Sequence, residues 1–158
     1  MWRAIFFTIL FFSALFLSVI ELPHFDNTIR GLSLFYKWFF IGIGTAIILV
    51  AAIKSIRNHI LALVLMISLS LLFPSLFCLT NRVFYSSERM EKFSLVSKDM
   101  QLYRVEKYFV FIEVDGREER LTVDRDFFKE TLLKNSITLP VRKGYWGYDY
   151  VVLDISCN

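Results

Sequence analysis

Residues 4–20 read AIFFTILFFSALFLSVI, a run whose only polar members are Thr8, Ser13 and Ser18. Leu, Ile, Phe and Val fill twelve of its seventeen places. On the insertion scale these contribute about −4 to −7 kcal/mol, enough to offset the hydroxyls and carry the segment into a bilayer. Two more such runs follow, Gly31–Ile53 and Ile60–Thr80. The reading is therefore a transmembrane region over residues 1–80, with spans of about 4–20, 34–53 and 60–79. A cleaved signal peptide is the rival for the first run. Ser18-Val19-Ile20-Glu21-Leu22-Pro23 offers no pair of small residues at cleavage spacing, which favours a retained anchor.

Charge divides the chain at the same place. Residues 1–80 carry five basic side chains (Arg3, Arg30, Lys37, Lys54, Arg57) against two acids (Glu21, Asp26), and residues 81–158 carry thirteen of each sign. The net charge of +3 thus sits in the membrane half. A neutral polar half has no clustered Lys and Arg to follow phosphates, so nucleic acid is not an expected partner.

Lys54-Ser55-Ile56-Arg57-Asn58-His59 is a tight basic loop without an acid, and Arg3 precedes the first span on the same side. The positive-inside rule then puts the N-terminus and this loop inside, and the Glu21–Arg30 loop and residues 81–158 outside. The expected localisation is a cytoplasmic (inner) membrane with an extracytoplasmic C-terminal domain. Lys37, flanked by Tyr36 and Trp38, reads as an interfacial lysine and as the sole ionisable side chain within the spans. Pro74 should kink the third span, with Ser70 and Ser75 helping to satisfy the carbonyl it frees. Gly42 with Ala46, and Ala14 with Ser18, have the small-residue spacing that permits close helix contact.

After Asn81 the pattern becomes short alternating runs. Tyr108–Val114 and Arg117–Val123 flank Asp115-Gly116, a hairpin signal because both turn residues need positive φ. Tyr108, Val110, Ile112 and Val114 would line one face, and Phe109 and Phe111 the other, so this strand should be central and covered on both sides. Asp124 should cap a helix from about Arg125 to Lys134, with Phe128 and Leu132 on one face. Ile137, Leu139 and Val141 alternate in a further strand that Pro140 marks as an edge, and Tyr148–Ile155 forms the last. The fold class is three transmembrane helices followed by an α+β domain: a mixed or antiparallel sheet of about four to five strands with one helix. So small a domain should lean on other parts of the chain or on a partner for an adequate core.

No constellation points to catalysis, a cofactor or a metal. His24 and His59 fall on opposite sides of the bilayer and cannot share a site. Glu21, His24 and Asp26 lie close in sequence, but such clusters at helix ends are usually solvated. Asp115, Glu118 and Asp124 read as turn, surface and cap residues. Cys78 and Cys157 both fall outside, where an oxidising compartment would let them pair. Closing that loop of about 80 residues would contribute on the order of 4 to 5 kcal/mol; the alternative is a buried thiol and a frayed one.

The remaining candidate is Lys143-Gly144-Tyr145-Trp146-Gly147-Tyr148, in which two glycines bracket an aromatic pair. Tyr145, Trp146 and Tyr148 could dip into the lipid interface, fill their own core or anchor a partner. The functional expectation is a non-enzymatic membrane protein. It would bind another membrane or periplasmic protein, as an envelope-complex accessory subunit or as an immunity factor against a toxin. The alternative is a lipid or small-molecule sensor.

Overall fold

A computed structural model describes residues 2–52, 59–102, 106–131 and 135–153. The elements in order are α1 (Trp2–Asp26), α2 (Gly31–Ala52), α3 (His59–Val83), β1 (Ser87–Leu102), β2 (Glu106–Val114), β3 (Arg117–Val123), α4 (Arg125–Thr131), β4 (Ser136–Lys143) and β5 (Asp149–Val151). Three long apolar helices followed by one antiparallel sheet and a short helix is the layout the sequence implies. The basic loop Lys54–Asn58, Leu132 and Cys157 lie outside the described residues, and with them the expected Cys78–Cys157 bond. Cys78 itself is buried in α3.

The chain divides into two compact units, and the division does not fall at residue 80 alone. One unit holds residues 1–25 and 32–80; the other holds 81–158 together with Asp26–Gly31, the connection between α1 and α2.

In the first unit, α1, α2 and α3 are each long and apolar enough to cross a membrane. Large apolar side chains such as Phe12, Phe16, Phe40 and Ile48 remain exposed, as lipid-facing residues do. Small residues make the close contacts. Ala14 and Ala46 are fully buried, and Gly42 lies so near the Leu69–Ser70 backbone that a Cβ would overlap the Leu69 carbonyl. At the Pro74 turn the Ser18 and Ser75 hydroxyls lie 2.9 Å apart, and Ser75 donates to the Leu71 carbonyl at 2.8 Å. Ser70 donates instead to the Ile67 carbonyl at 2.9 Å.

One expectation fails in this unit. α1 does not stop near residue 20 but runs on to Asp26, through Pro23. Pro23 removes one backbone donor near the helix end, a loss a last turn tolerates better than a helix centre. Glu21 is thereby inside the helix and only 1% exposed, so Lys37 is not the sole ionisable side chain within the helices. Lys37 is exposed, with its ammonium 5.7 Å from the Trp38 ring centre.

The second unit is a five-stranded sheet in the order β3-β2-β1-β4-β5, antiparallel throughout. Asp115 and Gly116 both adopt positive φ, 50° and 72°, and β2 pairs with β3 from Val114↔Arg117 to Tyr108↔Val123, as the hairpin signal requires. Phe93, Val110, Ile112, Leu121, Ile137, Leu139, Val141 and Val151 form the core, and Phe127 and Phe128 of α4 pack against it. Asp124 caps α4 by accepting from the Phe127 amide at 2.6 Å. Lys98 donates to the Thr131 carbonyl, placing a cation at the C-terminal end of α4.

Three strand readings need correction. The central strand is not β2, which lies next to it, but β1, sixteen residues long and rich in charge, which the alternation did not single out. β4 is second from the edge: β5 pairs with Val141–Lys143, and just beyond it the Val152 amide donates to Pro140 O at 2.9 Å, so Pro140 lies between β1 and the end of the β5 segment and lacks only the donor its ring removes. The last strand is accordingly short, Asp149–Val151, in place of the expected Tyr148–Ile155.

The sheet curls, and Asp26–Gly31 fills the gap between its two edge strands. On the β5 side, the Ile29 amide donates to Asp149 O and the Val151 amide to Asn27 O, each at 2.8 Å, and Thr28 bridges to Tyr150. On the β3 side, the Thr122 amide donates to the Asn27 Oδ1 at 2.9 Å, and Asp26 accepts from Arg120 at 2.7 Å and from the Thr122 hydroxyl at 3.0 Å. Arg30 adds an ion pair of 2.8 Å to Asp115 in the hairpin turn. Asn27 is fully buried, and Ile29 joins the core. An edge strand is a row of unpaired donors and acceptors, and one six-residue connection covers part of both rows.

Candidate functional site

The turn singled out by its aromatic residues is held by a residue the sequence did not nominate. Asn81 occupies the last turn of α3, 1% exposed, and its side chain is spent on the β4–β5 turn. Its Nδ2 donates to Tyr148 O at 2.7 Å and its Oδ1 accepts from the Trp146 amide at 3.0 Å. The Asn81 carbonyl accepts from the Tyr145 amide at 3.4 Å, and the turn closes on itself where the Gly147 amide donates to Gly144 O at 3.0 Å.

The two glycines serve different ends. Gly147 has φ of +80°, a conformation other residues resist. Gly144 is buried against Asn81, and a Cβ there would overlap the Asn81 carboxamide. Both the Nδ2 and the Oδ1 of that carboxamide are bonded to turn backbone, so the turn is ordered before any ligand arrives.

What the turn presents is apolar. Tyr145 is 66% exposed and Trp146 39%, their rings edge to face with centroids 5.0 Å apart. Of the three roles open to this turn, filling its own core does not describe these two positions. Tyr148 is half-buried and contributes its carbonyl to the clamp.

Two further exposed aromatic residues lie on the segment that runs beside the turn. The Ser86 amide donates to Lys143 O at 2.9 Å and Ser87 pairs with Lys143 in the sheet, so the segment leaving α3 runs beside the turn. That segment carries Phe84, 61% exposed, and Tyr85, 44% exposed. The Arg142 guanidinium lies 4.4 Å from the Tyr85 ring centre and pairs with Glu88 at 2.7 Å; Lys143 is exposed. Sequence could have found Phe84 and Tyr85, as aromatic residues just past an apolar run. Nothing in spacing links Asn81 to a turn more than sixty positions later.

The remaining candidates disperse. Asp26 is engaged by Arg120 and Thr122, and among the described residues no three His, Cys, Asp or Glu side chains gather as a metal site. Asp115 pairs with Arg30, Glu118 accepts from the Ser97 hydroxyl at 3.1 Å, and Asp124 caps α4. Burial pushes the Glu119 carboxyl above its ordinary range, a shift partly offset by the Arg30 amide and by the charges of Arg30 and Arg117. A shallow depression of about 240 Å³ lies between Val123, Asp124, Phe127, Leu139, Pro140 and Leu153.

Compared with known proteins, the chain matches no family model, no curated protein and no solved structure.

Proposed function

We propose that this chain is a non-enzymatic integral membrane protein that acts by binding another protein at the outer face of a cytoplasmic membrane. It serves there as an accessory subunit of an envelope complex or as an immunity factor against a toxin. The observation that carries this reading is the threefold attachment of the sheet domain. The chain passes between the two units at residues 25–26, 31–32 and 80–81, and the first two crossings bracket a connection sewn into both sheet edges. That connection is ordered within the sheet domain before any partner arrives, so less entropy is lost when a partner engages the domain. The outer placement rests on charge: Lys54 and Arg57 mark the opposite connection as cytoplasmic, and the covalent path puts Asp26–Gly31 and the sheet on one side.

Mild-detergent purification after cross-linking in native membranes tests the binding. A single partner at constant ratio is the expected result. Survival of expressing cells against one cognate toxin would identify the immunity form. Recovery of the chain without a partner, together with no protection against any toxin tried, would remove the reading. A reporter fused at residue 158 tests the side, and activity only of a cytoplasm-dependent reporter would reverse it.

The depression beside Asp124 and Pro140 favours a second reading, a sensor of a small apolar ligand or lipid. Its test is ligand-dependent thermal stability of the full chain. Residues 81–158 alone would lack Asn27 and Ile29, which belong to the folded domain.

A further inference from the structure

We infer that Phe84, Tyr85, Tyr145 and Trp146, with Lys143 beside them, form a collar that seats in the headgroup layer of the bilayer around the exit of α3. Whatever partner the domain binds, this contact is with phospholipid.

Depth is the first argument. α3 has 25 residues and so extends about 37 Å at 1.5 Å per residue. The hydrocarbon core is about 30 Å thick, so the helix outruns it and its last turn stands at the interface. Asn81 is in that last turn, and its carboxamide bonds the backbone of Trp146 and Tyr148 directly. The turn cannot lie far from the level at which α3 leaves the membrane, because two hydrogen bonds of ordinary length fix it there.

Composition is the second argument. Four aromatic side chains of 39% to 66% exposure lie on two hydrogen-bonded segments where the chain leaves a span. Tyr and Trp concentrate at this depth because an apolar ring body enters the acyl boundary while its polar atom stays hydrated. Lys143 supplies a cation that can reach lipid phosphate while its stem lies along the rings. The clamp is the third. Asn81 and Gly144 order the turn at the level of backbone, leaving the side chains outward. A device that only closed a loop between two strands would not need two large exposed aromatic rings.

The test uses tryptophan emission, since Trp2, Trp38 and Trp146 are the three tryptophans of the chain. A Trp2→Phe, Trp38→Phe variant leaves Trp146 as sole emitter. The full chain is reconstituted into phosphatidylcholine and phosphatidylglycerol vesicles whose acyl chains carry bromine either near the ester or near the terminal methyl. Trp146 should lose most of its emission to the shallow bromine, much less to the deep one, and be shielded from aqueous acrylamide. Because Trp38 stacks on Phe77 in the helices, its replacement could impair folding. The difference between the unmodified chain and Trp146→Phe then isolates the same signal. Free quenching by acrylamide with none by bromolipid would place the turn in water and overturn the proposal. Protection from both quenchers would show a protein covering it, a second copy included, and would equally overturn it.

Discussion

Replacing Asn27 by alanine isolates the device that closes the sheet. The Thr122 amide points out of the β3 edge and donates to the Asn27 Oδ1 at 2.9 Å, in a position where Asn27 is fully buried. Alanine removes the acceptor but not the burial, so the donor loses its partner without gaining water. A buried donor left unsatisfied costs about 1 to 3 kcal/mol. The Val151 amide bonds to the Asn27 main-chain oxygen, which alanine retains. The prediction is therefore asymmetric: the β3 side of the closure opens and the β5 side holds.

Native-state hydrogen exchange on the full chain in detergent or bicelles reads both sides at once. Thr122 should lose about five- to 150-fold in protection, the equivalent of 1 to 3 kcal/mol, while Val151 and Ile29 change little. Unaltered protection at Thr122 would refute the closure. So would an equal loss at Thr122, Val110 and Ile112, because it would mean that Asn27 acts on the whole domain and not on one edge.

The aromatic clamp is tested by Gly144→Ala, whose Cβ must displace the Asn81 carboxamide and with it two hydrogen bonds. A loss of about 2 kcal/mol or more is expected, seen as faster chymotryptic cleavage at Tyr145 or Trp146, whereas Gly147→Asn should be milder. In the helices, Gly42→Ala pushes a methyl into the Leu69 carbonyl and should destabilise the bundle by about 1 to 3 kcal/mol, measured as helical content against denaturant in bicelles. Glu119→Gln should stabilise the domain at neutral pH by a few tenths of a kcal/mol, since its partly exposed site is screened by solvent. The sign follows from the raised carboxyl: the wild type is most stable below the ordinary glutamate range and loses stability as pH rises through the elevated value. Thermal melts across that range should converge for the two proteins at low pH and separate at neutral pH.

The parts of the molecule legible in sequence are those whose signal is local. Three apolar runs, a turn that demands positive φ at Asp115 and Gly116, and a cap at Asp124 each follow from a few adjacent residues. β1 shows why the rest was hidden. Its core face carries Arg89, Glu91 and Phe93, opposite Val141, Leu139 and Ile137 of β4. Arg89 answers to Glu91 at 2.9 Å and to Asp149 at 2.8 Å. Charges that satisfy one another along β1 and against Asp149 of β5 break the apolar alternation that marks a strand, and the bulge between Leu95 and Ser97 breaks its phase as well. The longest strand was thus obscured by pairs that exist only once the sheet has formed.

The same reasoning explains the division of the chain. Asp26–Gly31 reads as a polar connection between two spans, and its composition cannot distinguish a solvated loop from one built into a sheet. What decides is a pair of edges more than ninety positions away, Thr122 on one side and Val151 on the other, each offering an amide to Asn27. Asn81 has the same character, a polar residue at the end of a span whose partners lie in a distant turn. Both asparagines are buried, and both tie a segment adjoining an apolar helix to the sheet through side-chain amide and backbone groups. A small domain short of core gains closure from them without adding residues. The sheet is consequently not an appendage that could be exchanged by cutting at residue 80: a swap that moved only 81–158 would leave Asn27 and Ile29 behind and reopen both edges.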